Sequence, residues 1–516
     1  MADVHLPKCV SETWDSYVLH PSVMDGALQA SIGLWLASEK HSPRGVAIAP
    51  LLPFALAQLE ILDRIPASIC VVVRAAKAVQ EDTNTRKVDI DICDLSGRVC
   101  VRLLGLISRV LQRQGAAKQA GKATDRLMLL RPSWKSKPLT SQPGSTVKYG
   151  KRWVWLDHIY KECISDLEAQ HPGISCAALP ARRTNSIAEQ VAAVGEQIFE
   201  CVREALKTKP NEPVLVQDVV AVDSDGSPLA DGVGALLKSA CQENPKVLGQ
   251  VITVPQILLA SELSLVLSEN ASREGHEDVE IHYQSGTREV VCYEELDESS
   301  TLETSRTDVT VNITQPWRDG GVYLITGGAG GLGMIVAREI AGAVKGAKIV
   351  LAGRRSLNAD RQTEIAALVN AHRSSTHACI EYRTLDVSDA TAVTQAVHAI
   401  VEQYGSVNGI VHCAGVIRDN FIIRKSTEEF RAVLAPKILG TENLDRATAD
   451  ISLDFFISFS SIAGCLGNIG QSDYSFANAF LDRYAAYRQR LVRDHRRSGR
   501  TLSINWPLWA DGGMRI

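Results

Sequence analysis

Residues 321–345 read GVYLITGGAGGLGMIVAREIAGAVK. An apolar run, a turn in which Gly recurs, and a stretch with apolar residues at helical spacing follow one another without a gap. That succession predicts strand, glycine-rich turn and helix. Such a turn offers a pyrophosphate free backbone N–H groups and the positive end of a helix dipole. Thr326, Gly327, Gly328, Gly330, Gly331, Leu332 and Gly333 would line the cradle. Glycine also serves plain turns; its place between a strand and a helix is what favours a nucleotide.

Downstream come AKIVLAG (347–353), CIEYRTLDV (379–387), VNGIVHCAG (407–415), DFFISFSS (454–461) and TLSINW (501–506), with helical stretches between them. Strands alternating with helices predict a Rossmann-like, doubly wound parallel sheet, and residues 307–516 are assigned to it. A binder of NAD usually carries an acidic residue after the second strand, for the ribose hydroxyls. Arg354 and Arg355 stand there instead. Two guanidinium groups suit a 2′-phosphate, so NADPH is the expected cofactor; the alternative is a solvated surface pair. LDVSD would place Asp386 and Val387 beside the adenine. HCAG would put Ala414 and Gly415 under the cofactor, where bulk is excluded.

DFFISFSS ends in Ser460 and Ser461, and QSDYSFANAFLD (471–482) puts Tyr474 at a helix start with Asn478 one turn later. With the glycine-rich strand–turn–helix, these residues resemble the short-chain dehydrogenase/reductase superfamily, which usually has Lys where this chain has Asn478. The departure is similar to the ketoreductase of modular polyketide synthases, in which Lys and Asn have exchanged places. The stretch APKILGTENL (435–444) then makes Lys437 the candidate lysine. The resemblance covers about residues 127–516 and points to the trans-acyltransferase type. It implies NADPH-dependent reduction of a β-ketoacyl chain borne on the phosphopantetheine of an acyl carrier protein, with other polyketide synthase domains as partners.

In the implied roles, Tyr474 donates a proton as hydride reaches the ketone carbon. A free phenol, with a pKa of about 10, is a poor acid at neutral pH. Lys437, as a nearby cation, is expected to lower it. Ser461 would hydrogen-bond the carbonyl oxygen, and Asn478 would hold a water that resupplies the proton. In the resembled family an Asp at the place of Asp419, in VIRDNFI (416–422), accompanies a D-configured β-hydroxyl. The opposite type carries Trp where this chain has Leu466, and epimerising members carry Pro where it has Phe476. The implied product is a D-β-hydroxyacyl chain formed without epimerisation.

Residues 127–306 alternate as well. KRWVWLDH (151–158), EPVLVQDVVAV (212–222) and PKVLGQVITV (245–254) read as buried strands. SIAEQVAAVGEQIFECVREALKT (186–208) and DGVGALLKSACQEN (231–244) read as the helices between them. No glycine-rich phosphate loop is present, so a truncated Rossmann-like structural subdomain that binds no nucleotide is expected. LQRQGAAKQAGKATDR (111–126) is polar, small and basic, and reads as a linker.

Residues 1–110 open with one helical stretch, HPSVMDGALQASIGLWLA (20–37). Then follow ICVVVRAAKAV (69–79) and the hairpin signal KVDIDICDLSGRVCVRLLGLISRVL (87–111). One helix against an antiparallel sheet is an α+β arrangement. LHPSVMDGALQ (19–29) resembles the second half of a polyketide synthase dehydratase, a double hotdog fold, and LLPFALAQLEIL (51–62) fits the same region. The resemblance implies that Asp25 matches an Asp working with a His of the first half, and that Gln29 belongs to the same motif. The HxxxGxxxxP motif with that His is absent. The segment is therefore expected to dehydrate nothing, and His20 to be structural. The missing half, and the lid helices of the resembled family beyond NWPLWADGGMRI (505–516), are either supplied elsewhere or lie outside this chain; otherwise the hotdog half is a scaffold.

The bulk numbers are compatible with this reading. A chain of 516 residues suggests about three domains. With 55 Lys and Arg against 59 Asp and Glu, the net charge of -4 gives no reason to expect nucleic acid or an anionic membrane as partner. The 12 cysteines form no CxxC pair, so reduced thiols, a cytoplasmic protein and no metal are expected. MADVHLPKCVSETW (1–14) lacks a signal-peptide pattern, and no run approaches the roughly 18 apolar residues of a membrane span. Two rivals remain. A stand-alone reductase of small alcohols and ketones needs neither the nucleotide-free subdomain nor the dehydratase-like segment. A catalytically silent megasynthase scaffold does not need Lys437, Ser461, Tyr474 and Asn478.

Overall fold

The computed structural model describes residues 1–6, 8–38, 51–75, 85–110, 128–139, 147–180, 186–221, 232–254, 258–296 and 316–509. The chain divides into two units, Met1–Leu127 and Met128–Ile516. The expected linker at 111–126 and the end of the chain after 509 lie outside the described residues.

In the first unit, helix α1 (Pro21–Ser38) covers an antiparallel sheet. Its strands are β1 (Ala2–His5), β2 (Leu51–Ala55), β3 (Gln58–Ile61), β4 (Ser68–Ala75), β5 (Thr85–Cys93) and β6 (Val99–Val110), in the order β1-β4-β5-β6-β2 with β3 also on β6. Val23 and Ala27, one helical turn apart, meet Ile69, Val71, Ile90, Ile92, Val101 and Leu103 from alternate strand positions. DLSG forms the expected turn, in which Asp94 Oδ1 accepts the N–H groups of Ser96 (2.8 Å) and Arg98 (3.0 Å). The α+β arrangement expected from the sequence is what the chain adopts.

The second unit holds two sheets. The first comprises β7 (Leu130–Ser136), β8 (Lys151–Leu156), β9 (Ile174–Ala178), β10 (Val214–Ala221), β11 (Val247–Val254), β12 (Glu280–Gln284) and β13 (Thr287–Glu295). Its order is β7-β13-β12-β11-β10-β8-β9, parallel from β9 to β12 and antiparallel at β13 and β7. Helices α2 (Ile164–Gln170), α3 (Ile187–Lys207), α4 (Val233–Glu243) and α5 (Ala260–Asn270) belong to it.

The second sheet is wholly parallel. Its strands are β14 (Val322–Thr326), β15 (Lys348–Gly353), β16 (Cys379–Thr384), β17 (Gly409–His412), β18 (Phe455–Ser461) and β19 (Arg500–Trp506). The helices are α6 (Gly331–Ala343), α7 (Ala359–Arg373), α8 (Ala390–Tyr404), α9 (Thr427–Ala447), α10 (Ile462–Leu466) and α11 (Ser472–Arg493). The order β16-β15-β14-β17-β18-β19 means that the chain winds outward from β14 and then crosses to β17 on the other side. That reversal opens a crevice beyond the C-terminal ends of β14 and β17, where ligands bind in doubly wound sheets. Every residue of β14 is buried, because helices cover both faces of the sheet.

The two sheets are joined through helices. Phe199 of α3 stacks on Phe430 of α9 with ring centroids 4.5 Å apart. Phe476 of α11 sits where a Cβ on Gly195 or Gly232 would come within 2.5 or 2.8 Å of its ring, so small residues open a socket for it. Glu442 of α9 accepts the N–H groups of Ile187 (3.0 Å) and Ala188 (3.2 Å), placing a carboxylate at the positive end of α3. A shared apolar core and this cap hold α9 and α11, which carry Lys437 and Tyr474, against the seven-stranded sheet.

Candidate active site

The glycine turn after β14 is packed onto the end of β17. Gly327 has φ 66, and a Cβ there would lie 2.8 Å from the Ala414 nitrogen, so no other residue fits without a shift. Cys413 N donates to Thr326 O (3.0 Å), and Thr326 Oγ1 lies 2.6 Å from His412 Nδ1. Gly330 caps α6, and Gly331, Leu332 and Gly333 form its first turn, where an α-helix leaves N–H groups unpaired.

Arg354 and Arg355 are exposed just past β15. Asp386 accepts the Ser388 N–H (2.9 Å), and buried Val387 is held through its carbonyl by Asn443 Nδ2 (2.9 Å). A Cβ on Gly415 would stand 3.2 Å from Lys437 Cε. A glycine-rich turn, a helix N-terminus and a basic rim fit an NAD(P)H-type dinucleotide.

The four residues expected to react come from three elements. Tyr474, in the first turn of α11, is 7% exposed. Asn478 Nδ2 donates to the Tyr474 carbonyl (2.7 Å), while its buried Oδ1 has no protein partner. Ser461 ends β18; its Oγ accepts the Ala463 N–H (3.2 Å), and its carbonyl accepts from Asn505 Nδ2 (3.0 Å). Lys437 lies within α9, 3% exposed, with Nζ 5.6 Å from the Tyr474 ring centroid and 2.9 Å from the Phe459 carbonyl.

Burial pulls the Lys437 ammonium down to about 8. Burial also pushes the Tyr474 phenol above its ordinary value, against hydrogen bonds with Asn478 and Ser461. The sequence reading expected a lowered phenol. In the resting site desolvation outweighs the neighbouring groups, so the phenol stays protonated.

Asp419 is exposed, and its Oδ2 accepts from Gln471 Nε2 (3.0 Å). Leu466 is exposed. Phe476 is the fully buried ring in the glycine socket. Sequence reasoning missed Lys425 and Asp473, a buried ion pair (2.6 Å) beside Tyr474. It also missed Glu243 of α4, which accepts the N–H groups of Ile422 (2.8 Å) and Gly470 (3.1 Å). Partners 48 and 179 residues apart leave no local signal.

In the first unit, Asp25 and Gln29 share the exposed face of α1, and Gln29 Nε2 donates to Asp25 Oδ2 (2.7 Å). His20 is buried, lies 3.0 Å from Thr13 Oγ1 and stacks on Trp14, as a structural histidine does. Among the described residues no group of side chains is arranged to hold a metal, and no helix is long and apolar enough to cross a membrane.

Residues 321–511 match the family model described as the KR domain. Residues 1–118 match the model described as the polyketide synthase dehydratase N-terminal domain. The match bears out the dehydratase kinship read from the sequence. The chain is 38% identical over 516 residues to polyketide synthase PksN of Bacillus subtilis (strain 168), covering 100% of this chain and 9% of that protein. It is 36% identical over 512 residues to PksL of the same organism, covering 99% of this chain and 11% of that protein. It thus spans about a tenth of the length of the curated relatives it matches. The crystal structure of a ketoreductase domain from the bacillaene assembly line matches with TM-score 0.66 and 36% identity, over 75% of this chain and 87% of that one.

Proposed function

Because the chain belongs to the ketoreductases of polyketide synthases, we propose that it reduces the β-keto group of an acyl chain held as a thioester on the phosphopantetheine of an acyl carrier protein. The reductant is NADPH, and the product is the D-β-hydroxyacyl chain. One observation carries the reading: Lys437, Ser461, Tyr474 and Asn478 belong to the same sheet and helices as the dinucleotide crevice, and Lys437 lies against both Gly415 and Tyr474.

Gly327, Gly328 and the first turn of α6 bind the pyrophosphate; Arg354 and Arg355 take the 2′-phosphate; Asp386 and Val387 flank the adenine. The bound cofactor supplies hydride to the ketone carbon. Ser461 orients the ketone oxygen, and Tyr474 gives it the proton. Lys437 stabilises the phenolate left behind. The unpartnered Asn478 Oδ1 accepts from a water that returns the proton. Asp419 is the residue that accompanies this D-configuration. Neighbouring polyketide synthase domains are partners.

NADPH oxidation with a β-ketoacyl diketide thioester tests the reading. Tyr474→Phe should slow it by about 10²- to 10⁴-fold with nucleotide binding unchanged. Equal rates would remove Tyr474 as the acid, and a mainly L product on chiral chromatography would remove the stereochemical assignment.

A further inference from the structure

We propose that Lys425 and Asp473 are positioning residues that hold the segment bearing Asp419 in register with Tyr474, and so govern how selectively one face of the ketone is presented. The proposal rests on the reductase reading above and names residues it does not use.

Lys425 Nζ donates to Asp473 Oδ2 at 2.6 Å, with side chains 0% and 1% exposed. The same ammonium donates to the carbonyl of Arg418, immediately before Asp419. The other carboxylate oxygen of Asp473 accepts the N–H of Tyr474 (2.8 Å). An unbroken relay therefore runs from the backbone beside Asp419 to the backbone of the proton donor.

Further bonds close the same wall. Asn420 N donates to Gly470 O (2.9 Å), and Gln471 Nε2 to Asp419 Oδ2 (3.0 Å). Glu243 grips both segments through Ile422 N and Gly470 N. From the same helix, Lys238 Nζ and Gln242 Nε2 hold the carbonyls of Cys465 (2.7 Å) and Leu466 (2.8 Å).

A buried ion pair returns little stability that a well-packed apolar pair would not, since both charges must leave water. What it adds here is direction: three hydrogen bonds tie the Arg418 backbone to the first turn of α11, beside the apolar packing of Ile422 and Phe476 in one core. None of these bonds reaches the glycine turn, so nucleotide binding is a separate readout.

The test is the double variant Lys425→Met/Asp473→Leu, which removes both charges of the pair together. The parent and the variant are compared for NADPH affinity, for kcat and KM with a β-ketoacyl thioester, for the enantiomer ratio, and for cyclohexanone, which has no acyl chain to align. NADPH affinity should stay within about twofold, the thioester kcat should fall about 10- to 100-fold, and cyclohexanone reduction should fall less. The minor enantiomer should rise at least about tenfold.

A parental enantiomer ratio, or equal losses on both ketones, overturns the proposal. If the double variant does not unfold cooperatively, Asp473→Asn decides. It keeps an acceptor for Tyr474 N and should show a smaller rise of the minor enantiomer; no rise overturns the proposal. A parent that reduces cyclohexanone but not the thioester sinks the substrate reading and this proposal together. A parent active on both, with unaltered variants, sinks this proposal alone.

Discussion

At the end of β14 the chain turns through Gly327 into α6, and the first N–H groups of that helix face the crevice. At the end of β8 it meets Asp157, whose carboxylate accepts the Ile159 N–H (3.3 Å) and caps a short 3-10 helix, His158–Cys163. One strand end leaves its N–H groups for an anion from outside; the other supplies the anion itself. In the seven-stranded sheet, Gln217 donates to Gln250 (2.8 Å), which donates to the carbonyls of Asn270 and Gly275. On α11, Asn478 has a buried Oδ1 without a hydrogen-bond partner, as Arg152 Nε and His282 Nδ1 are without one in the seven-stranded sheet. A mixed sheet and a wholly parallel one thus end their strands differently: Asp157 caps the turn after β8, while Gly327 opens the turn after β14.

The strongest way to break this contrast is at Lys437. Lys437→Met should slow reduction by about 10²-fold or more, as expected on losing an acid–base group. It should also stabilise the fold at pH 7 by about 2 kcal/mol, because the buried cation is removed at the cost of its bond to Phe459. The folded ammonium titrates at about 8, below its ordinary value of 10.5. Between those values the unfolded chain binds more protons, so this group makes the parent more stable as pH rises through that window. Urea titrations at pH 7 and pH 9.5 should show the rise in the parent and its loss in the variant.

Next come the glycines. Gly327→Ala, at φ 66 and against the Ala414 nitrogen, should weaken NADPH binding about tenfold or more. Gly249 of β11 has no such role: a Cβ there would come within 2.5 Å of Leu237 Cβ on α4. Gly249→Ala should lower stability by about 1–3 kcal/mol and leave nucleotide affinity unchanged. Fluorescence titration and thermal unfolding of both variants separate the two uses of glycine.

Replacing Arg354 and Arg355 together by Ala should cost about tenfold in NADPH affinity and leave NADH nearly untouched. Equal losses for both nucleotides would contradict the 2′-phosphate assignment. The smallest effect is expected in the support: Asp157→Ala should cost about 1 kcal/mol of stability, with turnover and affinity at parental values.

Much of this was written locally. The period of the apolar residues places the six strands of the second sheet and the helices between them. The glycines of 327–333 sit where a strand becomes a helix. Tyr474 and Asn478 are one turn apart on α11, so their shared face follows from helical geometry. The hairpin at DLSG and the α1 stripe follow in the same way from spacing within one element.

Other features exist only in the folded chain. Lys437 is joined to Tyr474 by packing between α9 and α11, and its place was supplied by resemblance rather than spacing. The Lys425–Asp473 pair, the grip of Glu243 on both loops and the glycine socket around Phe476 join residues far apart in sequence. The direction of the Tyr474 shift was misjudged because burial, which dominates it, is a property of the assembled core. What the sequence by itself determined is therefore what covalent spacing controls: the elements, the glycine turn and the residues sharing one helix face. Only the tertiary structure decided which charges meet and which groups lose their water, because contact and desolvation depend on distances that the chain sets by folding back on itself.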